Sequence, residues 1–169
     1  MRFALFATAA LALALPATAA VQPARVRAPN FESLAQPLPL PYDEAAKAAT
    51  AVDQARVRAK AARKLLLIDL GGNWCLDCRI LAGTMELPEL KRWVAAHYEV
   101  VTVDVGRFDK NLDVPAHYGI TDRLKGVPSL LIVDPRSDRL INEGKTAALS
   151  DARHMSPQGL ADYLAQWTR

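Results

Sequence analysis

The sequence is short of the residues from which disulfide scaffolds and metal centres are built. It has two cysteines and three histidines in 169 residues, whereas a disulfide scaffold uses several cysteine pairs and a structural zinc site uses four ligands. The histidines, at positions 97, 117 and 154, lack the short spacing of a zinc site. A stable fold must therefore rest on a hydrophobic core, for which 51% apolar residues is an ordinary share.

The chain also lacks a strong excess of charge of one sign and, after residue 20, a long apolar run. The formal net charge is +3, which predicts no nucleic-acid partner, and the basic cluster between Arg56 and Lys64 is typical of a solvated helix face. No later run reaches the roughly 20 apolar residues of a transmembrane helix. At 169 residues, one domain with extensions is expected.

Residues 1–20 are predicted to be a secretory signal peptide. Arg2 precedes an apolar run from Phe3 to Leu15, and small residues after Pro16 offer cleavage sites. The alternative is a membrane anchor, for which the apolar run is too short. Cleavage would leave a soluble protein in an oxidising compartment, where disulfides persist.

Five of the eleven prolines lie in residues 21–41, which predicts an extended, poorly packed segment, either a tether or an arm that wraps the domain. The domain is expected to span residues 42–169. Its pattern predicts helix, strand, helix, strand, helix, strand, strand and helix, the order of an α/β layered sheet.

Periodicity and capping residues locate these elements. An amphipathic helix is expected from its N-cap Asp43 to about Lys64, with Ala45 and Ala62 at the ends of its apolar face. Strands are expected in LLLIDLGG (65–72), YEVVTVDV (98–105), GVPSLLIVDP (126–135) and RLINEG (139–144). Further helices are expected at Trp74–Met85, from Pro88, in a short stretch ending near Gly119, and from Pro157 after the Ser156 cap.

Both cysteines stand in GGNWCLDCRIL, residues 71–81, where a buried strand turns into a helix. Cys75 falls at or near the first helical turn, where free backbone N–H groups and the helix dipole favour thiolate over thiol. It is therefore the predicted nucleophile, and Cys78, one turn further on, is the predicted resolving thiol.

A cysteine pair with this spacing has three other known uses. Two cysteines alone do not complete a zinc site, and Arg79 rather than histidine follows Cys78, unlike a c-type haem attachment. A purely structural disulfide stays open, although a loop of two residues constrains the unfolded chain very little. The strand-turn-helix context favours redox chemistry.

The segments LIDLGGNWCLDCRIL, VVTVDV, HYGI and GVPSLLIV resemble, in this order, the successive motifs of the thioredoxin-like family. The helix predicted before the first strand is similar to the exported and membrane-tethered branch, the thiol-disulfide interchange domains of the bacterial cell envelope. The resemblance implies a thioredoxin-like α/β fold, with a central mixed sheet of about four strands flanked by helices. It also implies an exported, periplasmic thiol-disulfide oxidoreductase.

The same resemblance implies roles for single residues. Pro128 would be a cis-proline facing the cysteines, the Val127 backbone would bind an extended substrate segment, and Trp74 would shape the docking surface. Asp69 would be a buried general base with a raised pKa for the resolving thiol, or else an acid satisfied by backbone donors. The lysine that accompanies this acid in cytosolic thioredoxins is missing at about Val100, so proton transfer is expected to depend more on water.

Leu76 and Asp77 replace the Gly-Pro of ordinary thioredoxins and, with Arg79, are the predicted redox-tuning residues. Asp77 disfavours a second anion near the sulfurs, whereas Arg79 and the helix end act the other way, so the direction of the reaction stays open.

Neither a cofactor nor a metal is predicted. The expected partners are protein disulfides and a membrane-bound thiol electron donor, and a monomer is expected. The alternative functions are a binding or assembly module with secondary cysteines and a copper-handling dithiol. No role follows from the sequence for residues 139–155.

Overall fold

The structure, a computed structural model, describes residues 21–168; the predicted signal peptide lies outside the described residues. The helices are α1 (Ala48–Ala62), α2 (Leu76–Met85), α3 (Pro88–His97), α4 (Asp113–His117) and α5 (Pro157–Ala165), and the strands are β1 (Leu65–Gly71), β2 (Tyr98–Asp104), β3 (Ser129–Asp134) and β4 (Arg139–Leu140). Short 3-10 helices lie at Phe31–Ser33 and Ala152–His154. Between residues 21 and 168, no helix combines the length and the apolar character that a membrane crossing requires.

The four strands form one mixed sheet, as the resemblance implies, and their order is β2-β1-β3-β4. Strand β1 pairs in parallel with β2 and antiparallel with β3. Because successive side chains of a strand point to opposite faces, β1 contributes to two cores. Ile68 packs on one face with α1, and Leu67 packs on the other with α2, α3 and α5. This central position explains why β1 is one continuous apolar run interrupted only by Asp69.

Helix α1 begins at Ala48, five residues after the predicted N-cap, so the prediction for Asp43 is wrong. The Asp43 carboxylate instead accepts a hydrogen bond from the Ala45 N–H at 2.9 Å, within a turn. The cause is Tyr42, whose side chain is buried and whose backbone is hydrogen-bonded to Asn73. The chain has to leave that anchor before a helix can start. The ends predicted for the apolar face, Ala45 and Ala62, are exposed accordingly.

Residues 21–41 are extended apart from the 3-10 helix at Phe31–Ser33, and they form an arm that wraps the domain. The prediction of poor packing is wrong for this segment. The Arg79 guanidinium of α2 donates hydrogen bonds to the carbonyls of Leu38 and Pro39, at 2.9 and 3.2 Å. Gly83, also in α2, leaves room for the arm, since a Cβ there would lie 3.1 Å from the Leu38 side chain. Proline has no backbone N–H, so the arm has few donors for pairing with other backbone segments. Side chains of the domain bind its carbonyl groups instead.

Strand β4 is two residues long, shorter than the predicted 139–144, because a buried side chain takes over the pairing. The Asn142 amide accepts from Ile132 N–H at 2.9 Å and donates to the Leu130 carbonyl at 2.8 Å. Backbone pairing resumes where Leu130 N–H donates to the Thr146 carbonyl at 2.8 Å. These hydrogen bonds fix the segment after β4 alongside β3. The first residues of β3 lie near the cysteine pair.

Candidate active site

The cysteine pair lies where β1 ends and α2 begins, and its two sulfurs are joined in a disulfide. Cys75 is the N-cap residue of α2, one position before the helix starts, and its sulfur lies 3.2 Å from the Cys78 amide nitrogen, which donates to it. Cys78 is fully buried, while Cys75 retains 5% of its exposure. The sulfur nearer to solvent is thus also the one at the positive end of the helix, as a nucleophile requires.

The loop before β3 borders the same sulfur. The Val127–Pro128 peptide bond is cis, and the Val127 carbonyl oxygen lies 3.4 Å from Cys75 Sγ. The loop packs tightly on the segment after β4, because a Cβ on Gly126 would lie 2.6 Å from the Ser150 Cβ. The backbone predicted to bind an extended substrate is therefore held beside the reactive sulfur.

Two exposed apolar side chains flank Cys75 in the chain. Trp74 is 42% exposed and Leu76 45% exposed. The Trp74 indole N–H donates to the Gly106 carbonyl at 2.8 Å, and the Arg107 guanidinium lies 4.3 Å from the centre of the ring. Trp74 is thus both fixed and accessible, which suits the docking role predicted for it.

Asp69 is buried in β1, and its carboxylate accepts a hydrogen bond from the Tyr42 hydroxyl at 2.9 Å. Burial raises the pKa of Asp69 to about 7, and the Tyr42 hydrogen bond opposes that rise. The raised pKa agrees with the sequence-based expectation. The hydrogen-bond partner differs from the alternative interpretation, which expected backbone donors: it is the side chain of Tyr42, the residue directly after the arm.

Sequence reasoning missed Tyr42, and only its neighbours carry a signal. The Asn73 side chain, next to Trp74, accepts from Tyr42 N–H at 3.1 Å and donates to the Tyr42 carbonyl at 2.8 Å. A Cβ on Gly71 would overlap the Tyr42 hydroxyl and would lie 2.8 Å from Cys78 Sγ. Gly71 and Asn73, just before the cysteines, are therefore the local sequence signal of Tyr42.

Asp77 is buried and paired with Arg153, in the segment for which the sequence predicts no role. Its carboxylate accepts from the Arg153 backbone N–H at 2.9 Å and from Nε at 3.0 and 3.1 Å. Burial pushes the pKa of Asp77 up, but the Arg153 hydrogen bonds and charge outweigh burial and hold the pKa below its usual value. The negative charge next to the cysteines is therefore balanced.

Arg79, predicted to tune the sulfurs, is engaged elsewhere, since its guanidinium binds the arm carbonyls. The cation that pairs with a charge beside the cysteines is instead Arg153, which is 76 residues from Asp77 in the sequence. Tuning by Leu76, Asp77 and Arg79 stays a prediction.

An Arg153→Ala variant is expected to reduce the thiolate fraction of Cys75 at neutral pH, so that iodoacetamide alkylates the reduced protein roughly fivefold more slowly. The reason is that the Asp77 carboxylate, two residues after Cys75 in the chain, loses its counter-charge, and an unpaired negative charge near a thiolate raises its free energy by about 1 kcal/mol. The measurement is the alkylation rate against pH. Adding Asp77→Asn should restore the rate; an unrestored double variant would contradict the charge argument.

A cysteine pair at a helix N-terminus, facing a cis-proline loop on a mixed sheet, defines the thioredoxin-like class of fold and site. Residues 47–135 match the family model described as thioredoxin-like, which is more than half of the chain. The chain belongs to this family, which confirms the resemblance of its motifs to the thioredoxin-like family, and membership of the exported branch stays a prediction.

A solved structure of a disulphide isomerase from Xylella fastidiosa is 39% identical, with a TM-score of 0.69, over 76% of this chain and 97% of that one. A Pseudomonas aeruginosa protein of unknown function is 18% identical over 71% of this chain and 83% of its own, with a TM-score of 0.39. An HIV epitope scaffold is 20% identical over 71% and 84%, with a TM-score of 0.38. Neither of these last two bears on function. No curated protein matches the sequence. Together with the cysteine pair, the family and the first structure support a thiol-disulfide oxidoreductase.

Proposed function

We propose that the protein is an exported thiol-disulfide oxidoreductase that reduces or exchanges disulfides of protein substrates through Cys75 and Cys78. One observation carries the proposal: the Cys75 sulfur lies at the start of α2 and beside the Val127 carbonyl, and the residues on either side of Cys75 in the chain have exposed apolar side chains. The similarity to the Xylella fastidiosa disulphide isomerase supports it.

In the reducing direction, the Cys75 thiolate attacks one sulfur of a substrate disulfide. The substrate S–S bond breaks, a mixed disulfide forms, and the first substrate sulfur leaves as a thiolate. Cys78 then loses its proton to Asp69 and attacks Cys75 Sγ, which closes the Cys75–Cys78 disulfide and releases the second substrate thiolate. Two electrons pass from the protein to the substrate, and each substrate thiolate takes a proton from water.

The reaction repeats only if the disulfide is reduced again. In an oxidising compartment the reductant has to be delivered, so the proposal includes a membrane-bound thiol donor that attacks the exposed side of Cys75. Substrate and donor would both dock as extended segments, with the backbone at Val127 and an apolar side chain against Trp74.

Trapping tests the proposal. A Cys78→Ala variant retains the nucleophile but cannot resolve, so it should accumulate mixed disulfides on Cys75 that mass spectrometry identifies after non-reducing electrophoresis. The matched control is Cys75→Ser with Cys78→Ala, which should trap nothing. If the single variant traps no more protein than the double variant, the proposed function is wrong.

A further inference from the structure

The acid behind the cysteine pair has an unexpected environment. In β1, Asp69 pairs with Thr102 of β2 and Leu130 of β3, so strands surround it on both sides. None of the ion pairs in residues 21–168 involves Asp69. Its one side-chain hydrogen bond there is with the Tyr42 hydroxyl. Tyr42 is 3% exposed, so this is a buried pair built into the fold.

Tyr42 is held by hydrogen bonds at its backbone and at its hydroxyl group. Its backbone makes the two hydrogen bonds with Asn73 described above, and the carbonyl of the preceding Pro41 accepts from the Thr102 hydroxyl at 2.8 Å. The hydroxyl and Cys78 Sγ both lie where a side chain on Gly71 would be. The hydroxyl is therefore next to the resolving sulfur as well as bonded to the acid.

Three of the four charged side chains that surround the Asp69 cavity are engaged in ion pairs. Asp69 faces a cavity of about 390 Å³ between α2, α3 and β2. The charged side chains that line it are Lys64, Glu86, Lys91 and Glu99. Lys91 pairs with Glu86 at 2.7 Å, and Glu99 pairs with Arg58. The charge of Asp104 contributes to the raised pKa of Tyr42, and Asp104 is itself paired with Lys110 at 3.2 Å. Tyr42 is thus the group placed to act on Asp69 directly.

We propose that Tyr42 relays the proton in the resolving step, because its hydroxyl holds the Asp69 carboxylate and joins it to the Cys78 thiol. The Cys78 proton moves to the Tyr42 oxygen while the Tyr42 proton moves to Asp69 Oδ1. The products are a thiolate, an intact phenol and a neutral carboxyl group, so the charge and the proton are conserved. The cavity then gives water access to the protonated acid. This inference rests on the proposed function of the cysteine pair.

Both pKa values are consistent with this arrangement. Burial and the neighbouring Asp69 carboxylate raise the pKa of Tyr42 far above its usual range, so the hydroxyl stays protonated and both transfers occur together. The hydrogen bond from Tyr42 stabilises the ionised carboxylate and limits the rise in the pKa of Asp69.

The test is a Tyr42→Phe variant. The rate of its resolving step is measured by rapidly mixing a preformed mixed disulfide into buffers over a range of pH. The midpoint of the pH-rate profile is expected to rise by about one unit, because the carboxylate loses a charge-assisted hydrogen bond. Below the midpoint the rate should fall by about tenfold, and above it the rate should stay below that of the wild type, because phenylalanine cannot pass on the Cys78 proton. Attack by Cys75 on a substrate disulfide, measured separately, should be unchanged.

Two comparisons separate this role from a structural one. Tyr98 is also buried and lines the same cavity, but its hydroxyl bonds the Leu164 carbonyl at 2.7 Å, so Tyr98→Phe should leave the profile unmoved. In an Asp69→Asn background, Tyr42→Phe should have no further effect on the rate. A wild-type midpoint in an active, folded Tyr42→Phe protein would overturn the inference and leave the proposed function intact; absence of any exchange in the wild type would overturn the proposed function.

Discussion

Replacing Cys75 with serine is expected to reduce disulfide-reductase activity by at least about 10³-fold. A serine hydroxyl is a far weaker nucleophile than a thiolate and cannot form the mixed disulfide through which the two electrons pass. Removal of a nucleophile from an enzyme of the acyl-transfer type has effects of this size or larger. The measurement is the rate of insulin reduction with dithiothreitol as the source of electrons.

The variant should be folded, which makes the loss interpretable. The disulfide spans only two intervening residues, so its removal changes the entropy of the unfolded chain little. Serine is close in size to cysteine, and Cys75 is at the rim of the core and not at its centre. The control is Ser33→Ala, in the exposed arm, which should retain full activity. Retained activity in Cys75→Ser would favour a binding module whose cysteines are secondary.

The sequence predicts those parts of the site that are encoded locally. Cys75 and Cys78 are separated by one helical turn, and the glycines before them end a strand, so the spacing alone places both at a helix start. The layered α/β sheet also follows from local patterns, because β1 and β3 are continuous apolar runs and buried strands have that composition, whereas its mixed strand directions are implied by the family resemblance. Agreement between spacing, strand pattern and family motifs made the fold predictable.

The parts that escaped prediction depend on contacts between distant segments. Tyr42 reaches Asp69 across 27 residues, and Arg153 reaches Asp77 across 76. Neither has a periodicity or a spacing that indicates its partner. The misplaced start of α1 has the same origin: Asp43 is a good N-cap in isolation, but burial of the preceding Tyr42 overrides the local preference.

The proline-rich arm shows how composition can mislead. Its prolines indicate extended chain, and the chain is extended, but composition says nothing about what the carbonyls of such a chain bind. Arg79 fills that role for Leu38 and Pro39. A residue assigned to redox tuning by its position next to Cys78 therefore anchors the arm, and the arm in turn delivers Tyr42 to the acid.

An Asp69→Asn variant is expected to be slower in the resolving step and more stable at neutral pH. An amide cannot take the Cys78 proton, and loss of a general base lowers a rate by about 10²- to 10⁴-fold. The mixed disulfide should accumulate during turnover, because Cys75 attack does not use Asp69. The measurement is single-turnover resolution of a preformed mixed disulfide at pH 7.5, with Cys75 attack followed in parallel.

The gain in stability follows from the raised pKa of Asp69. Below about pH 4 the carboxyl is protonated in both the folded and the unfolded chain. Between the usual value of 3.8 and about 7, the unfolded chain has lost the proton and the folded chain keeps it, so stability falls as the pH rises through this window. Above it the full difference, on the order of 4 kcal/mol, opposes folding. Asparagine has no proton to lose.

Urea unfolding of both proteins at pH 4 and pH 8 measures the effect. The variant should differ little from the wild type at pH 4 and should be more stable by a few kcal/mol at pH 8, since its Oδ1 can still accept from the Tyr42 hydroxyl. The matched control is Asp162→Asn on the exposed side of α5, which should show no such change with pH. Equal stability of Asp69→Asn and wild type at both pH values would mean that Asp69 is already ionised at little cost in the folded protein. The carboxylate would then be too weak a base to remove the Cys78 proton, and the slow resolution expected of the variant should be absent as well.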